Sequence, residues 1–118
     1  MPKTLGQLGE SMAVNYLKKH KYSIVETNFR TRFGEIDIIA QEGDILVFVE
    51  VKTRSGKDFG LPQEAVGFKK QNKMVRMALK YVSDHQYKDT WRIDVVAILF
   101  EKKEFKNIEL IRNAVTEF

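Results

Sequence analysis

Apolar residues recur at three- and four-residue spacing near the start of the chain. Leu5, Leu8, Met12 and Tyr16, with Ala13 and Leu17 widening the stripe, predict a helix over residues 4–21. Thr4 has N-cap chemistry, while Gly6 and Gly9 weaken the first turns. The period then shortens toward two. Residues 22–29 alternate loosely around Ile24 and Val25; residues 34–41 (GEIDIIAQ) and 45–53 (ILVFVEVKT) are richer in β-branched residues, and all three segments read as strands. Glu42-Gly43-Asp44 is short enough to close a hairpin between the second and third of them. Residues 55–62, with Gly56, Gly60 and Pro62, read as a loop.

A second helix is predicted over residues 63–85, with Phe68, Val75, Ala78, Leu79 and Val82 on its apolar face. Residues 91–100 (WRIDVVAILF) form a nearly continuous apolar run, the pattern of a strand covered on both sides, and 105–111 reads as a peripheral strand. The predicted order is α-β-β-β-α-β-β. It is an α/β chain with a mixed sheet of about five strands flanked by helices. No repeat or linker divides it, so a single domain over residues 1–118 is expected.

Composition narrows the chemistry. The chain has 118 residues and no cysteine, which excludes disulfides, zinc–thiolate sites and cysteine nucleophiles. Two histidines, His20 and His85, make a histidine-based zinc site a poor fit. No apolar run reaches signal-peptide or membrane-spanning length, so the cytoplasm is the expected location and no membrane partner is expected. The net charge of +4 is unevenly spread. Residues 1–80 carry 14 Lys/Arg against 9 Asp/Glu, and residues 81–118 carry 6 against 7. A polyanionic partner would meet the first part of the chain.

That part also holds the acids of interest. Strand side chains alternate faces, so Glu35 and Asp37 are expected on one face with Ile36 and Ile38 on the other. Glu50 and Lys52 likewise share a face opposite Val49 and Val51. Asp37 and Glu50 lie about equally far from the Gly43-Asp44 turn, so antiparallel pairing should bring them together with Lys52 beside them. Clustered carboxylates repel unless a cation compensates, and an all-oxygen set suits Mg²⁺ or Mn²⁺. A nearby ammonium can polarise water or stabilise charge on a phosphoryl oxygen. The competing account is a wet hairpin face with cross-strand ion pairs. Against it, Glu50 and Lys52 interrupt an otherwise apolar, core-like run.

GEIDIIA followed by VFVEVKTR resembles the PD-(D/E)xK nuclease superfamily, with an Asp, a spacer and Glu-x-Lys on a hairpin. More closely, nearly the whole chain resembles the YraN-like family of bacterial proteins, regarded as relatives of archaeal Holliday junction resolvases. The matching stretches are LGE at 8–10, NFRTRFGEIDIIA at 28–40, FVEVKTR at 48–54, FGLPQEAV at 59–66, KKQNK at 69–73 and RIDVV at 92–96. Ile36 stands where the superfamily pattern has proline, a change that removes no ligand. The resemblance implies a restriction-endonuclease-like core and a metal-dependent endonuclease acting on DNA, branched or structured DNA included. Asp37 and Glu50 would be metal ligands and Lys52 the catalytic amine. It also implies that Glu10, on the first helix, reaches the metal, and that Gln71, on the second, touches the site. Symmetric cutting of a four-way junction would need two sites, hence a homodimer.

Other residues admit two readings. Glu10 could be a surface acid near a positive helix end, and Gln71 a boundary glutamine on its helix. Glu35 could join the metal or pair with Arg30, Arg32 or Arg54. Asp94, amid apolar residues, is expected to pair with Arg92 or a helix lysine and to stand outside the catalytic set. Arg30, Arg32, Arg54, Lys57, Lys69, Lys70 and Lys73 would contact phosphates on the functional reading, and Arg76 adds to the same helix surface. Two other functions compete with the enzyme: a non-catalytic nucleic-acid-binding module on the same fold, and an interaction subunit whose positive face meets an acidic protein.

Overall fold

The structure, a computed structural model, describes residues 3–55 and 68–115, without the side chains of 68–71. The elements follow the predicted order: α1 (Leu5–Lys19), β1 (Ser23–Thr31), β2 (Gly34–Glu42), β3 (Ile45–Ser55), α2 (Phe68–Asp84), β4 (Trp91–Glu101) and β5 (Glu104–Ile111). The expected loop at 55–62 and the start of the second helix, at 63–67, lie largely outside the described residues. The five strands form one sheet in sequential order, β1-β2-β3-β4-β5. β3 and β4 are parallel, and every other neighbouring pair is antiparallel. A parallel pair needs a crossover, and α2 lies in that connection.

Alternation along β3 sorts the core into two layers. Val47 and Val49 pack with Ala13 and Leu17 of α1 and with Val96, Ile98 and Phe100. Leu46 and Phe48 pack with Met74, Met77, Ala78 and Tyr81 of α2 and with Ile93 and Val95. Helices therefore cover both faces of the central strands, which is why β3 and β4 read as apolar runs rather than alternating ones. β5 lies at the sheet edge, as its weaker pattern predicts.

Both helices are rotated from their expected stripes. α1 buries Gly9, Ala13 and Leu17, while Leu8 is exposed and Tyr16 stacks on His20. Thr4 caps the helix in a capping box with Gln7. α2 buries Met74, Met77 and Tyr81 beside Ala78, and Leu79 is exposed. Of the expected stripes Ala13, Leu17 and Ala78 are buried, while Gly9, Met74, Met77 and Tyr81 take places that the sequence assigned to larger aliphatic residues.

The close approach of α1 to the sheet depends on Gly9. A Cβ there would collide with Thr53 Oγ1 on β3 and stand 3.3 Å from Thr53 Cβ. The Gly9→Ala variant is therefore expected to lose about 1–3 kcal/mol, since a β-branched strand residue yields little. A thermal melt matching that of the unmodified chain would show that the contact relaxes freely.

At the end of the sheet where β3 and β4 begin, a buried polar network ties distant segments together. Asp94 is fully buried and accepts from Tyr22 Oη (2.9 Å), Arg92 Nε (2.9 Å), Arg92 Nη2 (3.1 Å) and the Asn113 backbone N–H (2.9 Å). Arg92 Nη2 also donates to Glu42 Oε1 at 2.6 Å, and Arg112 Nη2 lies 3.0 Å from Glu42 Oε2. The expected pairing of Asp94 with Arg92 is present.

Candidate metal centre

The site forms where β2 and β3 part. Their pairing runs from Glu42↔Ile45 to Ile38↔Val49. One more step would set Asp37 against Glu50, but the backbone ladder stops there. The Val51 N–H donates instead to Asp37 Oδ2 at 2.8 Å. A side chain thus takes over a strand's hydrogen bond, and the hairpin opens into a fork.

On the other side of β2 the regular geometry also breaks. Thr27 pairs with Ile38 and Phe29 with Ile36, while Asn28, between them, has φ 53. This left-handed residue lies level with Asp37. Ile38 packs in the α1 layer and Ile36 in the α2 layer, so the two do not share a face as strict alternation predicts. The local twist frees Asp37 to face a cleft of about 770 Å³ whose lining also includes Glu10, Thr27 and Asn28.

Four acids meet at this fork. Glu10, Glu35 and Asp37 each present a carboxylate oxygen within 4.8 Å of the other two, an arrangement that could hold a metal ion. Asp37 also shares a hydrogen bond with Glu50, which is buried. Asp37 is pushed up from 3.8 to about 7, first by burial and then by the charge of Glu50. The shared hydrogen bond and Glu10 push the same way, while the Val51 N–H opposes them. Lys52 lines a smaller cleft together with Glu10, Gly6, Gln7, Val51 and Thr53, so the ammonium-bearing strand end and the acid-bearing helix border one space.

Glu35 lies near both the acids and an arginine. It is a member of the acid cluster, and its Oε2 lies 3.6 Å from Arg30 Nε. Asn28 was not singled out in the sequence, yet its Nδ2 donates to Glu35 Oε1 (2.7 Å) and to Glu10 Oε2 and Oε1 (3.2 and 3.3 Å). The available signal was an asparagine inside a strand, a residue poor in β propensity and tolerant of left-handed backbone.

The basic residues are more scattered. Arg30 is 88% exposed at its side chain, Arg32 is exposed with its guanidinium 4.9 Å from the Phe33 ring centroid, Arg54 is half-buried near the end of β3, and Lys73 is exposed on α2. Lys57 and the side chains of Lys69, Lys70 and Gln71 lie outside the described residues. His20 and His85 each bond to a backbone carbonyl of their own helix, Tyr16 and Tyr81 respectively.

Sheet and site together define an α/β protein with a carboxylate centre at the fork of its β2–β3 hairpin. The chain belongs to the uncharacterised protein family UPF0102, the YraN-like family expected from its motifs, whose model matches residues 9–98. That span contains Glu10, Asn28, Glu35, Asp37, Glu50 and Lys52. UPF0102 proteins of Caldicellulosiruptor bescii and Dictyoglomus turgidum are 49% and 45% identical over 115 residues, each match covering 95% of this chain and 97% of the relative. One of Syntrophus aciditrophicus is 50% identical over 111 residues, covering 92% of this chain and 86% of the relative. No helix among the described residues is long and apolar enough to cross a membrane.

Proposed function

We propose that the protein is a cytoplasmic, metal-dependent endonuclease that hydrolyses phosphodiester bonds in branched or structured DNA. The observation that carries this reading is Asp37. Its carboxylate lies within 4.8 Å of those of Glu10 and Glu35 and shares a hydrogen bond with Glu50, and burial among like charges raises its proton affinity. Such a group has much to gain from a divalent cation.

The donor set decides which cation fits. Every side-chain donor is a carboxylate oxygen, the chain has no cysteine, and the ring Nδ1 of each histidine is engaged with its own helix. Hard ions that take oxygen ligands, Mg²⁺ or Mn²⁺, match it. Asp37 and Glu10, with Glu35 and Glu50 beside them, would hold the ion. When bound, it would supply Lewis acidity toward a phosphoryl oxygen and compensate the acids' charge.

The chain's own residues do the rest. Lys52 stabilises negative charge growing on the phosphoryl oxygen and orients the attacking water. Water oxygen attacks phosphorus as the bond to one bridging sugar oxygen breaks; the water gives up one proton to solvent and the leaving oxygen takes one from solvent. No covalent enzyme intermediate is needed. Arg30, Arg32 and Arg54, with Lys57, Lys69, Lys70 and Lys73, bind backbone phosphates, so affinity falls as salt rises. A homodimer would supply the two centres that symmetric cutting requires.

The test is cleavage of supercoiled, linear and four-way-junction DNA under Mg²⁺ or Mn²⁺, with the Lys52→Ala variant as control. Metal-dependent nicking is expected, about 10²–10³-fold slower in the variant, the range for losing one charge-stabilising group. Salt-sensitive DNA binding with no cleavage of any substrate would instead identify a non-catalytic binding module.

A further inference from the structure

We propose that Asn28 is a positioning residue that holds Glu10 and Glu35 in register for the cation, an inference that rests on the metal-dependent reading above. The first argument is its backbone. Asn28 lies inside β1 at φ 53, a conformation that non-glycine residues seldom adopt in a strand. Its side chain is exposed, so no core packing demands it. A strand interior gains nothing from asparagine itself, and this left-handed residue lies level with Asp37 on the neighbouring strand.

The second argument is what its amide touches. Glu10 comes from α1 and Glu35 from β2, and only the fold brings them together. Nδ2 carries two N–H groups and lies within hydrogen-bond distance of both carboxylates. Glu10 and Glu35 are long side chains that would otherwise spread apart by mutual repulsion and rotamer freedom. A lysine or arginine in this place would draw them together too, but would also neutralise the charge that a cation needs. A neutral amide fixes their positions and leaves their negative potential intact. Arg30, the other group near Glu35, is 3.6 Å away and largely in solvent, so it cannot substitute for that constraint.

The test uses Asn28→Gly, which accepts the left-handed backbone and removes only the amide. Mn²⁺ binding by calorimetry and by the loss of free-ion electron paramagnetic resonance is expected to weaken about 10- to 100-fold, the range for lost outer-sphere partners of metal ligands. The thermal midpoint without metal should hardly fall. In a Glu35→Gln background the glycine substitution should cost less, because one of the two acids it releases has already lost its charge. Affinity equal to that of the unmodified chain would overturn the proposal. If the unmodified chain binds no Mn²⁺, the metal-dependent reading fails and this one with it, a result distinct from equal binding by both proteins. Folding of the variant is not essential: in the unmodified chain the Asn28 side-chain amide resonances should shift on Mg²⁺ addition with the midpoint of binding. Resonances that stay fixed while Mg²⁺ binds would also overturn it.

Discussion

Replacing Asp37 with asparagine is expected to stabilise the metal-free protein at pH 8 by about 2 kcal/mol while removing the proposed cation binding and cleavage, the exchange of stability for function seen at strained sites. Burial and the charge of Glu50 raise Asp37 from 3.8 to about 7. The folded chain therefore holds this proton more tightly than the unfolded chain does. Its contribution to stability is complete below pH 3.8, declines as the pH rises, and is lost above about 7. The separation between the two values sets a ceiling of about 4 kcal/mol. Asparagine imitates the protonated acid: its oxygen can accept from the Val51 N–H, and its amide can donate to Glu50. Denaturant titrations in a chelator should show variant and unmodified chain close together near pH 4. They should diverge up to about pH 7 and run parallel beyond it. Mn²⁺ at pH 8 should raise the midpoint of the unmodified chain only. Curves that stay parallel from pH 4 to 9 would mean that Asp37 carries its charge without cost.

How much of this was readable beforehand depends on how local each determinant is. β3 and β4 announce themselves because helices cover both faces, and a doubly covered strand must be apolar throughout. Glu50 stands out for the same reason, since a buried acid in such a strand interrupts a pattern. The hairpin register is equally local, and the distance of Asp37 and Glu50 from Gly43 placed them together. The faces of Ile36 and Ile38 are not readable from alternation, because β2 departs from it beside Asp37, level with the left-handed Asn28 of β1. The same holds for Glu35, whose place is set by an amide seven residues earlier and an acid on α1. The β4–β5 turn hides itself in another way. Lys102 and Lys103 both adopt positive φ (48 and 67), where a hairpin turn usually announces itself by Asn or Gly. The helix stripes are rotated from their expected positions, since Gly9 carries no hydrophobic signal and yet stands against Thr53 of β3.

The largest loss of stability is expected at the other end of the sheet, from Asp94→Ala. Asp94 is the shared acceptor of donors from Tyr22, just after α1, from Arg92 on β4 and from Asn113 beyond β5. Its neighbours already register the coupling. Tyr22 is pushed up to about 12 by burial and then by the charge of Asp94, and Arg92 is raised chiefly by its hydrogen bond to Asp94, against the cost of burial. Removing the carboxylate leaves Arg92 with Glu42 as its remaining acid among the described residues, and deprives Tyr22 and the Asn113 N–H of their acceptor. Breaking one side of a buried ion pair costs about 3–5 kcal/mol, which corresponds to a fall of roughly 10–20 °C in midpoint for a chain of this length. Asp94→Asn, which keeps one oxygen acceptor and the volume, should lose less. Replacing Arg92 and Asp94 together by leucine should recover much of the loss, because the penalty lies in a buried guanidinium that has lost one of its two acids. A double variant that melts as low as Asp94→Ala would show that the network's hydrogen bonds to Tyr22 and Asn113, rather than its charges, hold these segments in place. An Asp94→Ala variant as stable as the unmodified chain would leave the two apolar layers as the sole anchor of the sheet.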